Sequence, residues 1–319
     1  MISGKKIFLT GGAGFIGTKL IERLESANEI IVYDSLSRNS LKDSTAAKSP
    51  NLTIIEGDIL DFDKLKEAMR GADIVVHLAA VAGVDTVILS PTSTMQVNIL
   101  GTSNVLRAAK EVGGIERFID FSTSEVFGQR AFKSEENDFT IMGAVGEARW
   151  TYAVSKLAAE HLTHAYYKEF GLPTVVLRPF NIYGPGQVGE GAVHAFICRA
   201  IKNEDLEIHG DGTQIRAWCY VDDMIDAILC CIENSKAIGE SFNVGNSRAV
   251  VTIYGLASAV IRACESKSKI RFVRKDYVDV ELRVPSVKKS KQILGFESKI
   301  DLEDGLLLTA NYYRQLYKN

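Results

Sequence analysis

The chain has 319 residues, 46% of them hydrophobic, and a formal net charge of -3 from 37 basic and 40 acidic residues. This is the composition of an ordinary soluble globule with one large core or two unequal lobes, and it excludes disordered and fibrous classes. The near-balanced charge gives no attraction toward nucleic acid or anionic lipid, and the short run Lys288-Lys289-Ser290-Lys291 reads as a solvated helix face.

The first element is a strand, Lys6-Ile7-Phe8-Leu9-Thr10, with no apolar signal core before it. No run of about eighteen apolar residues follows anywhere, so a cytoplasmic protein without a membrane partner is expected. Directly after the strand comes Gly11-Gly12-Ala13-Gly14-Phe15-Ile16-Gly17, leading into a helical pattern over 15–26. Glycines at a strand-to-helix turn suit a pyrophosphate. Gly11 permits the tight turn, Gly14 keeps side-chain atoms away from the backbone N–H groups, and Gly17 lets the helix pack closely. A second strand over 29–33 delivers Asp34, about twenty residues after the glycines, where a carboxylate can bond a ribose 2′-hydroxyl and repels a 2′-phosphate. The pattern therefore predicts NAD rather than NADP.

Strands follow near 52–56, 73–78, 116–121 and 174–178, separated by helices near 61–70, 94–112 and 151–170. This alternation is that of an α/β, Rossmann-type doubly wound parallel sheet. Asp58 falls at a strand's carboxyl end, placed either to bond an adenine amino group or to cap the helix after it. Beyond Arg178 the texture changes. Gly184, Pro185, Gly186, Gly189 and Gly191 mark a mobile loop, while Phe242-Asn243-Val244-Gly245 reads as one more strand of the first sheet. The expected organisation is a nucleotide-binding domain over 1–180, rejoined by about 217–247, and a smaller, discontinuous substrate lobe over 181–216 and 248–319. Five cysteines without a CxxC pattern read as buried reduced thiols, and His161 with His164 lacks further ligands for a metal.

Two clusters carry chemistry. Tyr152 and Lys156, four apart in a helix-forming segment, project from one face, where the ammonium lowers the phenol pKa and readies it to take a proton from a hydroxyl. Upstream, Ser122-Thr123-Ser124-Glu125 follows a strand and places hydroxyls and a carboxylate at the catalytic edge of the sheet, with Thr123 positioned to hold the reacting oxygen.

These motifs, with Gly57-Asp58-Ile59, His77-Leu78-Ala79-Ala80, Asn98, the run from Arg178 to Gly186, Gly210-Asp211-Gly212, Arg216 and Tyr220-Val221-Asp222-Asp223, resemble the extended short-chain dehydrogenase/reductase family almost end to end. The likeness is to its nucleotide-sugar epimerases, dehydratases and decarboxylases. It implies NAD contacts from Gly11, Gly14, Phe15, Ile16, Gly17, Asp34, Asp58, Ile59, Leu78, Ala79, Ala80, Asn98, Tyr152 and Lys156. It further implies catalytic roles for Thr123, Tyr152, Lys156 and Glu125, and substrate contacts from Ser124, Asn181, Arg216, Tyr277 and Arg283. Similar enzymes all begin with oxidation at sugar C4. The dehydratases place Asp-Glu after the catalytic Thr, whereas Ser124-Glu125 here lacks the acid that water elimination needs. UDP-glucuronate decarboxylases resemble the chain in Ser124-Glu125 and in the segment from Tyr277 to Arg283, Arg149-Trp150 resembles the decarboxylating enzyme of aminoarabinose synthesis, and these enzymes differ in having Arg where the chain has Gly191-Ala192. The reading places 4-epimerisation first, decarboxylation second, dehydration or ketosugar reduction after these, and a non-catalytic NAD-binding regulator last. Surplus apolar positions over 94–112 (Val97, Ile99, Leu100, Val105, Leu106) and 151–170 (Leu157, Leu162, Tyr166) suggest a second buried face, and the resemblance implies a homodimer through these two helices.

Overall fold

The structure is a computed structural model that describes residues 2–274 and 280–317. The first half runs β1 (Lys6–Thr10), α1 (Phe15–Leu24), β2 (Glu29–Asp34), β3 (Leu52–Glu56), α2 (Phe62–Met69), β4 (Ile74–His77), α3 (Val84–Leu89), α4 (Pro91–Met95), α5 (Thr102–Val112), β5 (Arg117–Phe121), β6 (Arg130–Ser134), α6 (Thr151–Phe170) and β7 (Thr174–Pro179). The second half adds β8 (Ile182–Tyr183), α7 (Ala192–Ile201), β9 (Leu206–His209), β10 (Ile215–Ala217), β11 (Cys219–Tyr220), α8 (Val221–Glu233), β12 (Ser241–Val244), β13 (Val250–Thr252), α9 (Ile253–Ala263), β14 (Ile270–Val273), β15 (Leu282–Pro285) and α10 (Leu302–Leu316).

Seven parallel strands form the main sheet in the order β12-β7-β5-β4-β1-β2-β3. Strand order reverses between β1 and β4, which opens a crevice at their carboxyl ends, the usual ligand position in such a sheet. Both faces are covered, so β4 and β5 are buried along their whole length rather than alternating. On one face α1 and α8 supply Leu20, Ile21, Leu24, Met224, Ile225 and Ile228. On the other, α2 and α5 bring Leu65, Met69, Val105 and Leu106. The second lobe has its own core, with Phe196 and Ile197 of α7, Leu256 and Val260 of α9, and Leu306 and Ala310 of α10.

The structure revises several expectations. The helix expected over 94–112 is present and runs without a break from Pro91 to Val112, with a π-helical turn at Gln96–Gly101 between α4 and α5. The cap of α2 is Asp61, which accepts a hydrogen bond from Lys64 N at 3.2 Å, while exposed Asp58 accepts from Leu60 N in a local turn. Cys198 and Cys230 are only half buried. A four-stranded sheet, β13-β10-β15-β6, joins the second lobe to a strand that lies within residues 1–180. The Gly-rich segment after Tyr183 is tied down: Glu190 accepts hydrogen bonds from Asp85 N, Thr86 N and Thr86 Oγ1 at 2.8–3.0 Å. Val105 and Leu106 face the chain's own core, whereas Leu100, Val154, Tyr167 and Phe170 remain exposed.

Candidate active site

The first half of the site is made of backbone. Gly11 adopts φ +68°, and a Cβ there would lie 2.5 Å from Ala79 N, so the glycine loop and the Leu78-Ala79-Ala80 segment after β4 approach as only glycine permits. A Cβ on Gly17 would run into the Gly12 carbonyl, which fixes how closely α1 packs under the loop. No side chain caps α1 at Gly14, leaving its N-terminal dipole directed at the crevice. Asp34 closes the cradle by accepting hydrogen bonds from Ala13 N at 3.0 Å and Leu36 N at 2.7 Å. Burial raises its pKa, and those two bonds pull the other way. Ile59 is buried against this edge, Ile16 packs into the sheet core, and Phe15 reaches the core of the second lobe. An uncapped helix start, a side-chain-free cradle and a carboxylate at the end of β2 fit a dinucleotide with free ribose hydroxyls.

Asn98 sits in the π-helical turn, fully buried. Its Oδ1 accepts from Val81 N at 2.8 Å, and its Nδ2 donates to Val81 O and Ser155 Oγ. Asn98 therefore ties the loop after β4 to α6, one turn from Tyr152. In α6, Tyr152 lies in the first turn and Lys156 one turn later, with Lys156 buried. Thr123, at the carboxyl end of β5, accepts from Glu125 N at 3.2 Å and lies close enough to Tyr152 to favour its ionised form. The expected lowering of the phenol pKa is not the net result in this fold. Burial and then the Glu125 carboxylate push it up, outweighing the nearby Thr123 hydroxyl and the Arg283 and Arg149 charges.

The other half of the site is made of charge. Glu125 lies in a short 3-10 turn, Ser124–Phe127, which also buries Ser124. Arg149 donates two hydrogen bonds to its carboxylate, at 2.6 and 3.2 Å, and Arg283 donates one at 3.3 Å. Burial pushes the Glu125 pKa up, but the two guanidinium groups more than offset this and hold it below the ordinary carboxylate range. Arg216 and Arg283 occupy the same register on paired strands β10 and β15. Two cations side by side repel unless an anion lies near. Arg216 donates to the Ile215 and Val280 carbonyls, and Asn181, at φ +42°, donates to Ala217 O. These groups line one cleft of about 540 Å³ that also includes Glu190 and Phe196, a size suited to a nucleotide-sized ligand.

The structure thus gathers Glu125, Arg149, Asn181, Arg216 and Arg283 on one cleft, with Thr123 and Tyr152 next to Glu125, Ser124 buried in its turn and Lys156 buried on α6 one turn from Tyr152. Tyr277 lies outside the described residues. Arg149 drew notice in the sequence only for its likeness to decarboxylating enzymes, and Glu190 only as part of a loop. The signal for Glu190 was an acid between two glycines, Gly189 and Gly191.

The chain belongs to the NAD dependent epimerase/dehydratase family, whose model matches residues 7–245. It is 33% identical to the UDP-N-acetyl-alpha-D-glucosaminuronate decarboxylase of Bacillus cytotoxicus, over 98% of both chains. Among solved structures, an epimerase of Methanothermobacter thermautotrophicus superposes with a TM-score of 0.91 at 28% identity, over 99% of this chain and 94% of that one. The UDP-glucuronic acid 4-epimerase of Bacillus cereus, in complex with UDP-glucuronic acid and NAD, does so with a TM-score of 0.85 at 30% identity, over 98% and 100%. The chain is accordingly an NAD-dependent enzyme of this family.

Proposed function

We propose that the chain oxidises C4 of a nucleoside-diphosphate hexuronate and releases the C5 carboxylate as CO2, with Tyr152 as the base. The observation that carries this reading is Glu125, an ionised carboxylate beside Tyr152, clamped between Arg149 and Arg283. A 4-epimerase needs no fixed anion here, because it only turns the keto-sugar over. A dehydratase needs a proton donor, and Glu125 is held in its charged form. A fixed carboxylate next to a substrate carboxylate raises the energy of the latter, and loss of CO2 from a β-keto acid relieves that repulsion.

NAD, held by the glycine loop, Asp34 and the Leu78-Ala79-Ala80 segment, supplies the hydride acceptor and donor at C4 when bound. Thr123 and Tyr152 hold the C4 hydroxyl, Tyr152 takes its proton, and Lys156 stabilises the phenolate. Arg216 provides a guanidinium fork for the diphosphate, and Arg283 holds Glu125 in its charged form beside the uronate. Departure of CO2 leaves an enolate that is protonated at C5. A second reading, 4-epimerisation of the same substrate class, is favoured by the likeness to the Bacillus cereus epimerase. We further infer a homodimer through the exposed Leu100, Val154, Tyr167 and Phe170, to be checked by light scattering.

The test is incubation of the purified protein with UDP-glucuronate, UDP-N-acetylglucosaminuronate and UDP-glucose without added reductant, with products resolved by NMR and mass spectrometry. Loss of CO2 from a uronate is the expected result. An isomer of unchanged mass with an altered H4 coupling establishes the epimerase instead, and conversion of UDP-glucose alone overturns the uronate assignment.

A further inference from the structure

Three segments far apart in the chain meet around Thr86. Arg38, four residues past Asp34, donates hydrogen bonds to Ala82 O at 3.0 Å and to Thr86 Oγ1 at 2.9 Å. Glu190, from the loop between β8 and α7, accepts from Asp85 N and Thr86 N at 3.0 Å each and from Thr86 Oγ1 at 2.8 Å. The Thr86 hydroxyl thus accepts from the guanidinium and donates to the carboxylate, joining two charges that lie 3.9 Å apart. The approach is close: a Cβ on Gly83 would lie 2.6 Å from Glu190 Oε1, and one on Gly189 would lie 3.3 Å from Arg38 Cζ.

Strand order fixes where this contact runs. Arg38 follows β2, Ala82 and Thr86 follow β4, and β1 lies between those two strands. A bridge from the loop after β2 to the loop after β4 therefore spans the carboxyl end of β1, where the glycine loop and the start of α1 form the cofactor cradle. The loop that carries Arg38 is itself fastened to that cradle on both sides, by Ala13 N donating to Asp34 and by Ser40 N and Leu41 N donating to Ala13 O at 2.8 and 3.2 Å. Gly83, Asp85 and Glu190 also line the cleft, so the contact stands where crevice and cleft meet.

Glu190 belongs to a strap, Gly184 to Gly191, with glycine at 184, 186, 189 and 191, and such a segment has much backbone freedom to lose on closing. Its far side is held to the second lobe, where Tyr313 of α10 donates to Gln187 O at 2.6 Å. An ion pair at 3.9 Å between side chains 43% and 30% exposed contributes little. The closing force lies in the two backbone N–H groups and the hydroxyl that donate to a charged acceptor. Burial pushes the Glu190 pKa up, and these bonds with the Arg38 charge more than offset it, so the carboxylate stays ionised. Because the partners remain partly exposed, the contact can open without disturbing either core.

We propose that Arg38, Thr86 and Glu190 form a clasp that closes the strap over the dinucleotide cradle, so that NAD leaves and enters only when the clasp opens. The inference does not depend on which reaction follows oxidation at C4.

The test uses NAD-loaded enzyme chased with an excess of fluorescent etheno-NAD, with exchange followed by fluorescence. Glu190→Ala is expected to speed exchange about tenfold or more, and Arg38→Ala and Thr86→Val about threefold or more. The three act as one unit, so adding Arg38→Ala to Glu190→Ala should change the exchange rate by about twofold or less. With NAD saturating, Tm should move by about 2 °C or less in each single variant, which a merely structural role would not allow alongside faster exchange. Unchanged exchange in Glu190→Ala, multiplied effects in the double variant, or faster exchange only with a larger loss of Tm would overturn the proposal. Exchange is read with no substrate present, so a chain inactive on every uronate refutes the functional reading and leaves this test intact.

Discussion

The cofactor end of the cleft draws its main groups from one short stretch of chain, Gly11 to Asp34, and uses backbone: a turn at positive φ, a helix start without a cap, and a carboxylate that braces the loop. The charged end draws on Glu125, Arg149, Arg216 and Arg283, with up to 158 positions between paired partners, and uses side-chain charge. Backbone geometry fails when atoms are added, whereas a charge cluster fails when one member is neutralised. The two ends should therefore break under different substitutions and report on different ligands.

Tyr152→Phe should separate the ends most sharply. Turnover is expected to fall by about 10²- to 10⁴-fold with bound NAD unchanged, as measured by steady-state rates and the absorbance of released cofactor. Retained turnover would remove Tyr152 as the base. Next in size is Glu125→Gln, which leaves Arg149 and Arg283 facing an uncharged partner. It should cost about 3 kcal/mol in denaturant unfolding and abolish CO2 release while sparing NAD. The pH sign follows from the lowered folded-state pKa of Glu125. Its stabilisation is full above the ordinary carboxylate range and is lost as pH falls through the folded value, a loss absent in the Gln variant.

Gly11→Ala attacks the opposite end, where the new Cβ meets Ala79 backbone at φ +68°. The expected cost is about 1–3 kcal/mol, with weaker NAD retention and unchanged UDP binding by calorimetry. If UDP binding falls equally, the two ends are not independent. The smallest effect belongs to His77 in the layer beneath both. Its folded-state pKa lies well below 6.5, so unfolding takes up a proton and stability falls as pH drops below that value. The slope from this residue is at most about 1.4 kcal/mol per pH unit, and His77→Gln should flatten Tm against pH there.

Particular residues show how far the sequence could be read. The bounds of β1, β3 and α6 follow closely from apolar runs and helix formers, because local period and tight turns are properties of neighbouring residues. The strand β6 was not legible, since Arg130–Ser134 is short and gains its place only by pairing with β15, some 150 positions later. The π-helical turn at Gln96–Gly101 was hidden for a related reason. Asn98 faces inward there to hold Val81 and Ser155, and neither partner is close in sequence.

The sequence by itself determined the parallel sheet, the glycine cradle, Asp34 and the Tyr152/Lys156 spacing, because each depends on contacts within one turn or one strand-to-helix unit. Tertiary structure alone decided which charges meet. Glu125 between Arg149 and Arg283, and Glu190 on the start of α3, are juxtapositions fixed by strand order and lobe packing. Burial, which no local pattern specifies, then sets what those charges do to one another.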